Sequence, residues 1–258
     1  MALATYQEAG EKQMRSRFER VIRRISPAWL DVNYALDRGI SVAGLNICIA
    51  RHPPAARGAP ALEICRSLNP VSVLDVGSGG GEHAEAFADD GASVTCVDYG
   101  TSIYADRYRE DTRIKRVIAD FNEFVPREAF SLVWASHVLE HQRNVGQFIE
   151  RLIACARPEG YVAITVPHPH RRLWGGHLTN WTPGLLAYNI VLCGVDLREA
   201  KFCYGYREFS IIFSPKRVRL PTLTFDSGDL DRLEYLLPHE IGEQRDPWIN
   251  ANSTGMPK

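Results

Sequence analysis

Between residues 71 and 167 the chain alternates short apolar runs with amphipathic stretches. The runs have the length and β-branched content of buried strands, and the stretches between them carry apolar residues at helical spacing. The predicted strands are VSVLDV (71–76), ASVTCVD (92–98), IKRVIAD (114–120), FSLVWASH (130–137) and GYVAITVP (160–167). The predicted helices are EHAEAFADDG (82–91), SIYADRYRED (102–111) and NVGQFIERLIACAR (144–157). This alternation predicts a parallel sheet that is covered on both faces.

The pattern changes after residue 167. A loop rich in His, Arg, Trp and Gly (167–181) precedes a stretch, TPGLLAYNIVLCGV (182–195), whose Thr-Pro start is a good helix opening. The segment EAKFCYGYREFSIIFSP (199–215) has the pattern of two strands joined by a tight turn, which predicts an antiparallel strand in the sheet. The sequence therefore predicts a doubly wound α/β fold of seven strands, mostly parallel, with an antiparallel last strand.

We expect three regions along the chain. Residues 1–70 form an N-terminal helical cap, because their pattern is helical until the loop RHPPAARGAP (51–60). Residues 71–215 form the core. Residues 216–258 form a C-terminal extension with one helix, GDLDRLEYLLPHE, and a polar tail.

The first predicted strand leads directly into a glycine-rich segment. A loop of this kind between a strand and a helix lets the backbone approach a ligand and points helix N–H groups at it. The dinucleotide fingerprint G-x-G-x-x-G is not met, because Glu82 stands where its third glycine belongs. The phosphate-binding P-loop is not met either, because no Gly-Lys-Ser/Thr follows.

The segment instead matches the pattern Asp75-x-Gly77-x-Gly79-x-Gly81. An acid two residues before the first glycine suits a ligand that carries positive charge beside the loop. The pattern resembles the motif of the class I, seven-stranded S-adenosylmethionine-dependent methyltransferases, and the resemblance covers roughly residues 71–215. It implies methyl transfer with S-adenosylmethionine as the cofactor.

The resemblance also implies roles for residues that follow the strands. Asp98 would accept both ribose hydroxyls, and Tyr99 would pack against the adenine. Asp120 would bond the adenine amino group while Phe121 covers the ring, and WASHVLEH (134–141) would run under the methionine part. The full set of expected cofactor-binding residues is Asp75, Gly77, Ser78, Gly79, Gly81, Asp98, Tyr99, Asp120, Phe121 and Ser136.

The segment SHVLEH supplies candidates for the chemistry. His137, Glu140 and His141 follow the fourth core strand, at the sheet edge where ligands bind. Three interpretations are open: a histidine general base, a divalent metal site formed by all three residues, or a structural turn common to methyltransferases. This segment resembles the corresponding segment of the ubiquinone-biosynthesis O-methyltransferases, which has the pattern E-x-x-E-H. His137 stands where that pattern has its first Glu.

The loop HPHRRLWGGHLTNW lies at the same end of the predicted sheet. Its imidazole, guanidinium and indole groups suit a sugar ring or a phosphorylated acceptor, and we expect His177 to be a second histidine near the methyl group. A polar lid with one Trp packed in the core is the alternative. We therefore expect O-methylation of a small molecule or a glycan precursor.

Composition narrows the choice of partners and compartment. The 30 Lys and Arg residues nearly balance the 31 Asp and Glu residues, so no basic surface indicates nucleic acid. The six cysteines are scattered through apolar stretches without a C-x-x-C pair, which is typical of a reducing compartment. No apolar run is long enough to cross a bilayer, and the N-terminus lacks a signal-peptide core, so we expect a cytoplasmic protein.

Three other functions remain open at this point. A non-catalytic subunit with a methyltransferase fold is one, although the glycine loop and both acids are intact. A nicotinamide oxidoreductase is another, although the third glycine is missing. A nucleic-acid methyltransferase is the third, although SHVLEH stands where a D/N-P-P-Y/F signature would lie.

Overall fold

The computed structural model describes residues 48–49, 57–170, 174–205, 207–238 and 241. Its strands are β1 (Cys48–Ile49), β2 (Ser72–Val76), β3 (Ser93–Asp98), β4 (Ile114–Ile118), β5 (Phe130–Ser136), β6 (Ala156–Pro167), β7 (Lys201–Gly205) and β8 (Glu208–Phe213). Its helices are α1 (Ala59–Ser67), α2 (Glu82–Asp89), α3 (Val145–Cys155), α4 (Pro183–Leu192) and α5 (Asp229–Leu233).

In this part of the chain all eight strands belong to one sheet, in the order β1-β7-β8-β6-β5-β2-β3-β4. Strand β8 runs antiparallel to β6 and β7, and every other neighbouring pair is parallel. The seven predicted strands correspond to β2–β8, so the predicted α/β fold with an antiparallel last strand is confirmed. The two-residue strand β1, which pairs with β7, was not predicted.

Adjacent residues of the central strands face opposite sides of the sheet, as the strand repeat requires. One core cluster, with α3 and α4, includes Leu74, Val76, Val133, Phe148 and Leu186. The other, with α1 and α2, includes Val73, Leu132, Trp134, Ala61 and Phe87. Both faces of β2 and β5 are therefore buried, which is why these strands are nearly continuous apolar runs.

The C-terminal extension contributes to the first of these clusters. Leu233, Leu236 and Leu237 pack there beside the residues of α4. A buried acid, Asp229, accepts backbone N–H groups of Thr224 and Phe225 and so orders the loop before α5.

The predicted helix over residues 102–111 is wrong. Only a 3-10 turn, Ala105–Arg107, forms there, and the chain is extended again at Tyr108. The physical reason is tertiary: Tyr104 and Tyr108 pack beside Gly79 and Gly81 of the glycine loop, and this contact overrides the local helical spacing.

The predicted helix 144–157 ends earlier, at Cys155, and β6 begins at Ala156 rather than at residue 160. Ala156 pairs with Phe130, and the register shifts between Phe130 and Leu132. A Cβ at Gly160 would lie 2.7 Å from the carbonyl oxygen of Ser131, so glycine permits this close approach of two backbones.

Some expectations concern residues outside the described part. They are the helical cap for residues 1–47 and 50–56, the tail after residue 241, and the guanidinium groups of Arg171 and Arg172. None of the described helices has the length and apolar character needed to cross a membrane.

We expect Gly160→Ala to lower the free energy of unfolding by about 1–3 kcal/mol, because the new methyl group overlaps a backbone oxygen of β5. Gly146→Ala is the matched control, since a Cβ at that helical glycine meets nothing within 4 Å. The control should be neutral or stabilising by up to ~1 kcal/mol. Urea unfolding followed by circular dichroism measures both, and equal stabilities would contradict the close approach.

Candidate active site

The glycine loop joins β2 to α2 through three left-handed glycines. Gly77, Gly79 and Gly81 have φ values of 70°, 51° and 87°, which residues with a Cβ rarely adopt. The N–H of Gly77 donates to the carbonyl of Val97, and Gly81 is the N-cap residue of α2. A Cβ at Gly77 would lie 2.3 Å from a methyl carbon of Val138, so the loop presses on the segment after β5.

Asp98, the last residue of β3, holds this loop in place. Its Oδ2 accepts the N–H of Gly79 at 3.0 Å, and its Oδ1 accepts the N–H of Gly100 at 2.7 Å. Each carboxylate oxygen has a second lone pair, so both can still accept a ribose hydroxyl. The side chain that the sequence assigned to the ribose is thus fixed in orientation by the loop itself.

Asp75 lies beneath the loop and is almost fully buried. Its Oδ2 has no hydrogen-bond partner. Burial raises the pKa of Asp75 to about 7, and the negative charges of Asp98 and Glu82 add to this rise. A buried acid in this state favours a cationic ligand, because a nearby positive charge stabilises its ionised form.

The three residues expected at the adenine, Tyr99, Asp120 and Phe121, differ in their exposure. Tyr99 is exposed, and burial and a hydrogen bond to Asp120 both raise the pKa of its phenol. Asp120 itself accepts the backbone N–H of Asn122 at 2.8 Å. Phe121 points into the core, edge-on to Phe148 with ring centroids 5.2 Å apart. Tyr99, not Phe121, therefore offers the exposed aromatic face here.

Two tyrosines near the loop were missed by sequence reasoning. A Cβ at Gly79 would lie 3.1 Å from Cβ of Tyr104, and one at Gly81 would lie 3.0 Å from the ring of Tyr108. Their spacing, Y-x-x-x-Y, is also that of a helix face, which is why the sequence predicts a helix there. Aromatic residues placed soon after an expected cofactor acid were the signal that could have identified them.

His137 follows β5 in a left-handed conformation, with φ of 57°. Its Nδ1 lies 3.2 Å from Oε1 of Glu140, and its Nε2 lies 2.7 Å from Oε2 of Glu208. Carboxylates only accept, so both ring nitrogens donate and the ring is an imidazolium. Burial lowers the pKa of His137, but the hydrogen bonds to Glu140 and Glu208 outweigh burial and raise the pKa to about 9.

Glu140, His137 and Glu208 thus form a hydrogen-bonded bridge, and this bridge also contacts the backbone at Gly58. The other oxygen of Glu208, Oε1, accepts the N–H of Gly58 at 2.6 Å, at the start of α1. The backbone there lies close to Ser136, whose buried Oγ has no hydrogen-bond partner. Glu208 was not identified from the sequence, because an acid in a strand pattern is usually a solvated edge residue.

His141 ends the 3-10 turn Leu139–His141 and meets the loop after β6. Its Nδ1 lies 2.6 Å from the carbonyl oxygen of Gly176, so Nδ1 is the nitrogen that donates to this carbonyl. The ring of His177 stands at 89° to that of His141, with centroids 5.0 Å apart. Burial lowers the pKa of His177, and this ring is therefore neutral at neutral pH.

Main-chain hydrogen bonds hold the loop after β6 against the 3-10 turn Leu139–His141. The carbonyl of Glu140 accepts the N–H of Leu178 at 2.7 Å and that of Thr179 at 3.2 Å. Trp181 is buried in the core, whereas Trp174 is 45% exposed and stacks on His170 with centroids 4.5 Å apart. The structure thus brings His141 and His177 together and sets His137 apart between two carboxylates.

Comparisons with known proteins agree with this architecture. A family model described as "Methyltransferase domain" matches residues 11–199. A ubiquinone biosynthesis O-methyltransferase of Rhodopseudomonas palustris (strain TIE-1) is 31% identical over 103 residues, or 38% of this chain and 40% of the relative. One from Bradyrhizobium sp. (strain ORS 278) is 35% identical over 107 residues, or 39% and 42%.

A structure of Burkholderia thailandensis 1,6-didemethyltoxoflavin-N1-methyltransferase, with S-adenosylhomocysteine bound, has a TM-score of 0.48 and 24% identity. The matched region covers 59% of this chain and 75% of the chain in that structure. The chain spans about two fifths of the length of the curated relatives it matches.

The chain belongs to the methyltransferase-domain family. The cofactor that the sequence resemblance implies for this family is S-adenosylmethionine. The residues of the chain fit that cofactor: Asp98 presents two acceptor oxygens for a diol, Asp75 offers an unpartnered carboxylate oxygen for a cationic group, and the left-handed glycines leave the loop bare of side chains.

We expect Asp98→Ala to weaken binding of S-adenosylhomocysteine by about 10- to 100-fold, or ~1.5–3 kcal/mol, because it releases the glycine loop and leaves the ribose hydroxyls unpaired. Glu63→Ala, which removes an exposed carboxylate of α1, is the control and should bind normally. Isothermal titration calorimetry measures both. Unchanged affinity in Asp98→Ala would show that this acid does not contact the ribose.

The raised pKa of Asp75 predicts a pH dependence of cofactor binding. A cationic cofactor binds the ionised acid better, so affinity should rise with pH, reach its plateau above about 7 and fall by up to ~tenfold per unit below it. Binding at pH 6 should therefore release a proton, which calorimetry in buffers of different ionisation enthalpy detects. Asp75→Asn should abolish the inflection. A wild-type profile that is flat across pH 6–8 would contradict this role.

Proposed function

We propose that this enzyme methylates a hydroxyl oxygen of a small molecule. The observation that carries the proposal is the pair of imidazoles, His141 and His177, at the sheet edge that also presents the glycine loop and Asp98. The curated relatives named O-methyltransferases support oxygen as the acceptor atom.

The cofactor supplies a methyl group on a sulfonium: the acceptor oxygen forms the new O–CH₃ bond as the C–S bond breaks, and that electron pair stays on sulfur. The protein's part is to hold the donor, align the acceptor and take the hydroxyl proton. Asp98 and the glycine loop hold the donor. Val138, pressed on Gly77, sets the distance between the loop and the turn that carries His141.

His141 is the group best placed to accept the proton. The carbonyl of Gly176 holds its Nδ1–H, which leaves the Nε2 lone pair as the basic site. Glu140 Oε1 lies 4.0 Å from Nε2, and its negative charge favours the imidazolium that forms. His177 is neutral, so it does not repel that charge. His137 cannot serve as the base, since both of its nitrogens already donate to carboxylates.

The acceptor site includes an exposed aromatic face. Trp174 stands beside His170 and His177, and Leu178 is exposed in the same loop. A planar or cyclic acceptor can pack on the indole while its hydroxyl meets His141. A glycan precursor is the second candidate acceptor, because sugar rings also stack on indoles.

The experiment is a methyl-transfer assay with S-adenosylmethionine, a panel of phenols, catechols and short glycans, and product detection by mass spectrometry. We expect transfer to a hydroxyl, and we expect His141→Ala to lower kcat by about 10²–10⁴-fold. The affinity for S-adenosylhomocysteine should be unchanged in this variant. Transfer to nitrogen or carbon only would overturn the acceptor assignment, and an unaltered kcat would remove His141 as the base.

A further inference from the structure

One side-chain cluster at this edge of the sheet holds three potential metal-ligand atoms, whereas a general base needs only one basic atom. Glu140, His141 and His177 each present a ligand atom, and these atoms lie within 4.8 Å of one another. The residues come from two segments, the 3-10 turn after β5 and the loop after β6. Main-chain bonds from Leu178 and Thr179 to the carbonyl of Glu140 hold the two segments together.

Glu140 contributes a buried carboxylate whose Oε1 lies 4.0 Å from Nε2 of His141. The side chain is fully buried. Its Oε1 accepts from His137, but its Oε2 has no hydrogen-bond partner. An unpaired carboxylate oxygen in a buried position is unfavourable by the desolvation cost of a charged group, unless a cation or donor meets it.

His137 fixes the orientation of this carboxylate. Its Nδ1 lies 3.2 Å from Oε1 of Glu140 and its Nε2 lies 2.7 Å from Oε2 of Glu208, so the Glu140 side chain is held in place beside His141 and His177.

The imidazoles have the arrangement that metal-binding histidines require. A ligating imidazole is neutral and typically donates its other N–H to a carbonyl or another polar group, which fixes the ring. His141 does this through Nδ1 to the carbonyl of Gly176, and its Nε2 is directed toward the carboxylate of Glu140. One nitrogen of His177, Nδ1, lies 3.3 Å from Nε2 of His170, which fixes the second ring.

We propose that Glu140, His141 and His177 form a binding site for one divalent transition-metal ion of the Zn²⁺ class. Two imidazoles and one carboxylate are ligands that this class prefers, and three protein ligands leave a position open toward the acceptor. His137, which the sequence placed in the metal set with Glu140 and His141, is instead the residue that orients Glu140.

The role of the ion in catalysis, though not its binding, rests on the proposed function. The proposed function gives the role of base to Nε2 of His141 in the metal-free chain; with the ion bound, Nε2 would be a ligand and the cation would take over that role. The cation would then stabilise the ionised acceptor hydroxyl, whose proton passes to solvent water, and the oxygen lone pair forms the bond to the methyl carbon as before.

The test measures metal binding without cofactor or acceptor. The full chain is freed of metal with a chelator, dialysed against Zn²⁺, Co²⁺ or Mg²⁺, and its metal content is determined by mass spectrometry. We expect about one Zn²⁺ or Co²⁺ per chain and little Mg²⁺, with visible Co²⁺ absorption bands. His177→Ala and His141→Ala should each weaken binding by at least ~tenfold.

The matched control is His168→Gln, which removes another imidazole of the same loop that stacks on Tyr204, outside the cluster. It should keep full metal binding. His141→Gln and His177→Gln repeat the test with less change in volume, and circular dichroism verifies that each variant folds. No stoichiometric metal in the wild type, or equal binding by wild type and the His141 and His177 variants, overturns the site.

A methyl-transfer assay with and without chelator separates this inference from the proposed function. Metal binding without methylation of any hydroxyl would support the proposed metal site and refute the proposed function. Full methylation in the presence of chelator, by a chain that binds no metal, would support the proposed function and refute the proposed metal site.

Discussion

The bridge from Glu140 through His137 to Glu208 is the interaction on which the arrangement of this site depends. It joins the end of β5, the 3-10 turn and the start of β8, and through Gly58 it also reaches α1. Burying three charged groups is costly, and it is tolerated only because each ring nitrogen meets a carboxylate oxygen. Loss of any one partner would leave an uncompensated charge inside the protein, so each of the three residues depends on the other two.

The turn that follows this bridge connects the two halves of the site. On one side, Val138 packs against Gly77 of the cofactor loop. On the other, the carbonyl of Glu140 holds the loop that carries His177. Because methyl transfer requires the donor and acceptor in line, a rigid turn in contact with both halves is a direct way to fix their separation. Asp98 completes the donor side by binding two loop amides.

Particular residues show where sequence reasoning succeeded and where it stopped. The strands were predictable because both faces of β2 and β5 are buried and their residues are correspondingly apolar. The segment with Tyr104 was misinterpreted as a helix, because its spacing fits a helix and its real partner is a glycine loop that lies earlier in the chain. Phe121, which the resemblance places at the adenine, packs edge-on against Phe148 in the core, and no local pattern in the sequence indicates that contact.

The sequence by itself determined the order of strands β2–β8, the antiparallel last strand, and the glycine pattern that indicates the cofactor. These follow from local periodicity and from residues close together in the chain. Only the tertiary structure decided which histidine faces which carboxylate, since His137 and Glu208 are 71 positions apart and His141 and Gly176 are 35 apart. Such contacts depend on how the strands pair and on how a loop packs against a turn, and neither is encoded in the periodicity of any single segment.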